Sequence, residues 1–168
     1  MSKPVRPASV RTVEALADEC ARWRRAGDVV VLANGAFDLL HVGHVRYLAG
    51  ARAHGDRLIV AVNSDRSVRS SKGAGRPIVP EEERVEIVAS LRGVDRVCLF
   101  DTPTVAPVLE ALRPAVHAKG TDYTADTVPE RNVVAAYGGE TVIVGDPKDH
   151  ATSDVIATIL ERFRVRPG

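Results

Sequence analysis

The chain has 168 residues, of which 45% are hydrophobic and 27% are charged, and its formal net charge is +1 at pH 7. This length is typical of one domain that buries a full core without disulfides or structural metals. The near-neutral balance does not favour a protein held to nucleic acid by bulk electrostatics.

Three further features concern the cellular environment. Cys20 and Cys98 lie far apart and have no metal-type partner at short spacing, which favours buried thiols in a reducing compartment. The N-terminal sequence MSKPVRPASVR lacks the apolar segment of a signal peptide. No apolar run approaches the ~20 residues that span a bilayer. We therefore expect a soluble cytoplasmic protein with no membrane or nucleic-acid partner.

Apolar runs and helical repeats alternate along the chain. Residues 1–28 are expected to form a loose lead-in and one helix, with Thr12 as its N-cap and Gly27 as its stop, packed on a single domain of residues 29–168. The predicted strands are Val29–Ala33, Arg57–Asn63, Asp95–Phe100, Ala115–Ala118 and Glu140–Val144. The predicted helices are Val13–Arg25, His44–His54, Arg66–Ser70, the segment between Pro80 and Gly93, Thr104–Leu112, Pro129–Tyr137 and Thr152–Phe163.

The strands are apolar throughout, which is typical of a parallel sheet covered on both faces. The predicted fold is therefore α/β: a Rossmann-like, doubly wound, parallel five-stranded sheet with helices on both faces. Ligands of such sheets bind beyond the carboxyl ends of the strands. The last helix is expected to turn an apolar face of Val155, Ile156, Ile159 and Leu160 inward.

The loop after the first strand carries the most informative residues. A strand that ends in Asn34-Gly35 and leads into a helix presents N–H groups and a positive helix end to an anion. His41 and His44 follow, and Gly43 between them permits close approach of a ligand. Zinc is the alternative, but no third ligand accompanies the pair at a suitable spacing. The P-loop and GxGxxG patterns are both missing, so the loop is neither a P-loop nor a dinucleotide-binding loop. It favours a site for a different type of phosphate chemistry.

The stretch Asn34-Gly35-Ala36-Phe37-Asp38-Leu39-Leu40-His41-Val42-Gly43-His44 resembles the signature (T/N)-G-x-F-D-x-x-H-x-G-H of the cytidylyltransferase-like nucleotidyltransferases. The similarity extends over nearly the whole chain from Val29 onward. Within that superfamily the chain is most similar to bacterial D-glycero-β-D-manno-heptose 1-phosphate adenylyltransferases. The stretches that carry this closer match are His44–Leu48, Gly55–Asp65, Arg76-Pro77 and Lys119–Tyr123.

The resemblance implies transfer of a nucleoside monophosphate to a phosphorylated small molecule with release of pyrophosphate. The implied substrates are ATP and a heptose 1-phosphate or similar sugar 1-phosphate, which give an ADP-sugar, and Mg²⁺ is expected to arrive with the triphosphate rather than on protein ligands. The alternative is a CTP-dependent enzyme acting on glycerol 3-phosphate or another small phosphate or phosphonate. A non-catalytic nucleotide-binding module is the alternative of another class. A homodimer is expected by the same analogy.

The resemblance also implies roles for individual residues. The expected catalytic residues are His41, His44 and Lys72. The expected nucleotide-binding residues are Asn34, Gly35, Ala36, Phe37, His41, Gly43, His44, Lys119, Gly120, Asp122, Tyr123, Thr152 and Ser153. The expected substrate-binding residues are Asp38, Asn63, Asp65, Lys72, Arg76 and Arg84.

Some of these residues have alternative structural roles. Asp38 could order its loop, Asp65 could cap a helix, and Arg84 could pair with neighbouring glutamates. The chain also departs from the family's usual Ser-Thr-Thr segment near the last helix. Ala151 removes one hydroxyl there, and Asp154 adds a carboxylate near the expected polyphosphate.

Overall fold

The computed structural model describes residues 9–147 and 150–164. A parallel sheet runs through its centre in the order β1-β4-β3-β2-β5-β6. The strands are β1 (Ser9–Val10), β2 (Val30–Gly35), β3 (Arg57–Asn63), β4 (Arg96–Phe100), β5 (Val116–Lys119) and β6 (Glu140–Ile143). The helices are α1 (Val13–Arg25), α2 (Val42–Arg52), α3 (Asp65–Lys72), α4 (Glu81–Ala89), α5 (Ala106–Leu112), α6 (Arg131–Ala136) and α7 (Thr152–Arg162).

The predicted parallel α/β sheet is confirmed, and one strand is added to it. All five predicted strands and all seven predicted helices are present, and Thr12 caps α1 by accepting a hydrogen bond from the Ala15 N–H. The additional strand is β1, whose Ser9 and Val10 pair with Arg96 and Val97 of β4. Two residues are too few to show a period, so the lead-in gave no sign of this edge strand.

Each central strand is buried on both faces because its side chains alternate between two helical layers. Val31 and Ala33 of β2 face the layer that holds α2 and α4, whereas Val30 and Leu32 face the layer that holds α1, α5 and α6. The second layer also contains Cys20 and Cys98, both free thiols with no exposed surface. The prediction of buried, unpaired cysteines is therefore confirmed.

The order of the strands positions a ligand site. β2 pairs with β3 on one side and with β5 on the other. From β2 the chain therefore builds the sheet outward in one direction through β3 and β4, and then in the opposite direction through β5 and β6. In an open parallel sheet such a reversal leaves a crevice beyond the carboxyl ends of the two strands. The loops after β2 and β5 therefore meet at the expected place.

The prediction for the apolar face of α7 is wrong. Val155, Ile159 and Leu160 are 36%, 47% and 64% exposed, and Ile156 is only partly buried. Helical spacing showed that the helix has an apolar face, but spacing does not identify what covers it. Across the part of the chain that is described, each helix is too short or too polar to cross a bilayer.

Candidate active site

A pocket of about 380 Å³ lies at the carboxyl edge of the sheet, over the ends of β2 and β5. Its lining comes from the segment after β2, from the end of α3 and the segment that follows it, from the loop after β5 and from the segment between β6 and α7. The expected site residues in the lining are Asn34, His41, Gly43, His44, Lys72, Arg76, Lys119, Gly120, Asp122, Tyr123, Thr152 and Ser153. All three expected catalytic side chains are thus brought to one cavity.

The two histidines form a stacked pair at the start of α2. His41 is the N-cap residue with an extended backbone, and its N–H donates to Nδ1 of His44 at 3.2 Å. The ring centroids are 3.9 Å apart with an interplanar angle of 28°. Because Nδ1 of His44 accepts a hydrogen bond, its proton lies on Nε2, which leaves an N–H donor on the other side of the ring.

Both imidazoles are neutral near pH 7. Burial, followed by the charges of His41 and Lys72, lowers the pKa of His44 to about 4. Burial and the charge of His150 also lower the pKa of His41. Neutral rings of this kind carry N–H dipoles rather than two fixed positive charges, and an incoming polyanion would favour their protonation.

The glycine between the histidines is required by their packing. A Cβ on Gly43 would lie 2.9 Å from Cε1 of His41, closer than such contacts occur. Phe37 packs against His44, with ring centroids 5.4 Å apart, and only 4% of the Phe37 surface is exposed. The loop after β2 therefore holds the imidazoles in place before any ligand arrives.

Tyr47 ties the end of β2 to the end of β5. Its hydroxyl donates to the carbonyl of Ala118 at 2.8 Å and accepts from the N–H of Asn34 at 3.3 Å. Burial raises the pKa of this phenol well above its ordinary value, so it remains protonated and can keep donating. Tyr47 lines the pocket as well, although sequence reasoning had not selected it.

Asp38 organises the loops around the site. Its carboxylate is 1% exposed and accepts hydrogen bonds from the N–H groups of Ile78 and Val79, both at 2.9 Å, and from Nε of Arg76 at 2.7 Å. Burial alone would raise its pKa, but these three donors together lower it. The Thr152 hydroxyl donates to the Asp38 carbonyl at 2.7 Å. Loop ordering, the alternative role foreseen for Asp38, is what this geometry shows.

Other expected site residues lie outside the lining of the pocket. Gly35, Ala36 and Phe37 belong to the segment between Asn34 and His41 and do not line the pocket, and neither do Asn63, Asp65 and Arg84. Nδ2 of Asn63 donates to Ser67 Oγ at 3.0 Å. The side chain of Arg84 is completely buried and bonds Asp65 Oδ1 at 2.8 Å, the Val79 carbonyl at 2.9 Å and the Ala36 carbonyl.

Cations approach the histidine pair from both sides of β2. On one side, Lys72 is the last residue of α3 and Arg76 follows that helix. Nη2 of Arg76 is buried and has no hydrogen-bond partner among the described residues. Lys119 ends β5 on the other side. It is 8% exposed, and its ammonium lies 4.6 Å from the centroid of the Tyr123 ring. Burial lowers the pKa of Lys119, and the charges of Glu130 and Asp122 oppose that shift.

The N-terminal end of α7 also reaches the pocket. His150 lies beside His41, with ring centroids 6.5 Å apart, and sequence reasoning had not selected it. Its signal was its position in the last loop of the carboxyl edge. The carboxylate of Asp154 accepts from the N–H of Ala151 at 3.1 Å. This departure from the family pattern thus caps α7.

The fold and the site combine an open parallel α/β sheet with a histidine pair at a helix start that faces a cation-lined pocket. The chain belongs to the cytidylyltransferase-like family, whose model matches residues 32–163.

Relatives and solved structures agree with that assignment. The chain is 45% identical over 156 residues to the bifunctional protein HldE of Geobacter sulfurreducens, which covers 93% of this chain and 32% of that protein. It is 46% identical over 155 residues to HldE of Koribacter versatilis, with 92% and 32% covered. The chain thus spans about a third of the length of the curated relatives it matches.

The crystal structure of the lipopolysaccharide core biosynthesis protein from Thermoplasma volcanium is similar to this fold. The two superpose with a TM-score of 0.63 at 28% identity, covering 73% of this chain and all of the other.

Proposed function

We propose that this chain transfers AMP from ATP to a sugar 1-phosphate resembling heptose 1-phosphate, with release of pyrophosphate and formation of an ADP-sugar. The observation that carries the proposal is the stacked pair His41 and His44, which faces a pocket also lined by Lys72, Arg76 and Lys119. The choice of ATP and a sugar phosphate rests on the resemblance to heptose 1-phosphate adenylyltransferases. The HldE relatives and the lipopolysaccharide-related neighbour support that choice.

In the proposed reaction an oxygen of the acceptor phosphate attacks the α-phosphorus in line. A new P–O bond forms as the bond to the bridging oxygen of pyrophosphate breaks, and pyrophosphate leaves with the electron pair. The acceptor needs no general base, because a phosphate monoester with a second pKa of about 6 is already ionised. The task of the protein is to align two anions and to neutralise their charge.

The histidine N–H groups are suited to the charge that develops during transfer. They are held before the substrate arrives, and a preorganised donor of this kind contributes about 10²–10³ in rate. Lys72 and Arg76 on one side and Lys119 on the other would hold the triphosphate and the acceptor. Their placement on two sides of β2 matches a reaction with one anionic group entering and one leaving.

We propose that Mg²⁺ enters as part of the nucleotide substrate, where it adds to charge neutralisation on the triphosphate. Within residues 9–147 and 150–164, no group of three or more His, Cys, Asp and Glu side chains is arranged to hold an ion. We place the reaction in the cytoplasm, where ATP and phosphorylated sugars are available.

Pyrophosphate release with a panel of ATP, CTP, GTP and UTP against heptose 1-phosphate, other sugar 1-phosphates and glycerol 3-phosphate tests the proposal. ATP with a sugar 1-phosphate should give the highest kcat/KM. A preference for CTP with glycerol 3-phosphate would select the alternative enzyme. Nucleotide binding without turnover in any pairing would select the non-catalytic module and refute the enzymatic proposal.

We also propose that the protein forms a homodimer through the apolar face of α7. Val155, Ile159, Leu160 and Phe163 present 36–76% of their surface on or just after this helix, and such a contiguous apolar face is typical of an interface. Light scattering of the purified protein should give twice the monomer mass, and Leu160→Glu should give the monomer. A wild-type protein that is monomeric at assay concentration would contradict the proposal.

A further inference from the structure

The interior of the sheet contains a histidine that the proposed reaction does not use. His117 lies in the middle of β5, has no exposed surface, and belongs to the largest fully buried side chains of the protein. Its Nε2 lies 2.9 Å from Oδ1 of Asn34, the residue near the end of β2 that lines the pocket. Register explains the contact: His117 pairs with Leu32, and Asn34 lies two residues further along the same face of β2.

The direction of this hydrogen bond follows from the other nitrogen of the ring. Nδ1 of His117 is buried and has no hydrogen-bond partner among the described residues. If the proton were on Nδ1, the core would hold an unpaired N–H donor, which is rarer and more costly than an unpaired acceptor. The proton therefore lies on Nε2, which donates to the Asn34 oxygen.

Thr141 lies next to His117 on the adjacent strand. It is the direct register partner of His117 in the β5–β6 pair, so both side chains lie on one face of the sheet. Its buried hydroxyl likewise has no hydrogen-bond partner in the described part of the chain. A hydroxyl can either donate or accept, so Thr141 is compatible with both tautomers, and the choice rests on the cost of an unpaired buried N–H.

The ring also stays neutral, so it remains a single-proton donor at working pH. Burial, followed by the nearby charge of Lys119, lowers the pKa of His117 to about 3. The side-chain amide of Asn34 is then held in one orientation: its oxygen accepts from His117, and its NH₂ group makes no hydrogen bond to a described residue. A pocket that binds a polyanion needs hydrogen-bond donors, and the fixed NH₂ group of Asn34 is such a donor.

We propose that His117 is a positioning residue that fixes the amide of Asn34 so that its NH₂ group donates to an oxygen of the nucleotide. His117 itself touches no substrate, and its effect on binding passes through Asn34. The proposal rests on the proposed function because it assumes that the pocket over β2 and β5 takes the nucleotide.

The test measures ATP binding by calorimetry, together with KM and kcat, in four variants. His117→Leu removes the donor and should raise the Kd and KM for ATP about 10-fold, because the loss of one buried hydrogen bond to a ligand has an effect of this size. The change in kcat should be much smaller. His117→Gln, which restores an N–H donor, should bind ATP within about 3-fold of the wild type. Asn34→Ala should weaken binding at least as much as His117→Leu, and adding His117→Leu to it should then change little.

His54→Gln, at an exposed position of another loop, is the matched control and should leave binding unchanged. The proposal is overturned if His117→Leu lowers only the melting temperature and leaves Kd and KM unchanged. It is also overturned if the effect of His117→Leu is equally large in the Asn34→Ala background. Failure of wild-type protein to bind any nucleotide would overturn it too.

A second measurement does not depend on turnover. In ¹⁵N spectra of the imidazoles, the signal that disappears in His117→Gln should show the Nε2–H tautomer and remain neutral from pH 8 to pH 5. An Nδ1–H tautomer or a protonated ring would overturn the proposal even if the enzyme is active. If ATP binds but no acceptor pairing gives pyrophosphate, the proposed reaction fails while binding and tautomer data still decide the role of His117.

Discussion

Replacing Arg84 by methionine tests whether this buried guanidinium holds the site together or binds the acceptor. Its side chain is fully buried and connects three segments: the site loop at Ala36, the following loop at Val79, and α3 at Asp65. Methionine fills most of the volume, so the main loss is of hydrogen bonds and the ion pair rather than of packing.

The expected cost is in stability. Breaking a buried ion pair by removing one partner costs about 3–5 kcal/mol. The lower end applies because Asp65 keeps 23% of its side chain exposed and can be hydrated once Arg84 is gone. For a domain of this size, a loss of about 3 kcal/mol lowers the melting temperature by about 6–12 °C.

Urea unfolding followed by circular dichroism measures the loss. The matched control is Arg66→Met, because Arg66 forms an ion pair with Asp101 but is 77% exposed. Solvent screens an exposed pair of this kind, so Arg66→Met should leave the urea midpoint nearly unchanged. If Arg84→Met unfolds at the wild-type urea concentration but raises the KM for the acceptor phosphate, the framework role is refuted and Arg84 is a substrate residue.

Three further predictions concern the site. Gly43→Ala should lower kcat about 10-fold or more by displacing His41, since a misplaced group near the chemistry is costly. Gly75→Ala, where a Cβ meets nothing within 4 Å, should have no effect, and equal losses in both would contradict the packing argument. His41→Ala should lower kcat by about 10²–10³ with a small change in melting temperature, and an unchanged kcat would refute its catalytic role. The pKa of His117 is about 3 in the folded protein and about 6.5 in the unfolded chain, so the unfolded chain takes up the proton first as the pH falls. The contribution of His117 to the free energy of unfolding is therefore full above pH 6.5 and should fall by about 2 kcal/mol at pH 5. His117→Gln should remove this part of the loss, so urea unfolding curves of variant and wild type that shift in parallel from pH 8 to pH 5 would contradict it.

Residues with a local signal were predictable from the sequence. The apolar runs around Val31 and Val60 indicate buried parallel strands because both neighbours of each residue are also apolar. The position of His41 and His44 at a strand–loop–helix junction indicates an anion site because the junction presents N–H groups wherever it occurs.

Residues that act through distant partners were not predictable. The pairing of Arg84 with Asp65, and of His117 with Asn34, depends on segments up to 83 residues apart that only the fold brings together. The spacing of apolar residues in α7 predicted the helix correctly. It did not show that Leu160 on its apolar face is exposed in the folded chain.

The proposed transfer of AMP can be followed by ³¹P NMR of the protein with ATP, Mg²⁺ and heptose 1-phosphate. We expect ATP and sugar phosphate to decline together while free pyrophosphate and the coupled doublets of a diphosphate diester appear in equal amounts. Appearance of ADP or inorganic phosphate instead, or an unchanged spectrum while ATP binds, would contradict it.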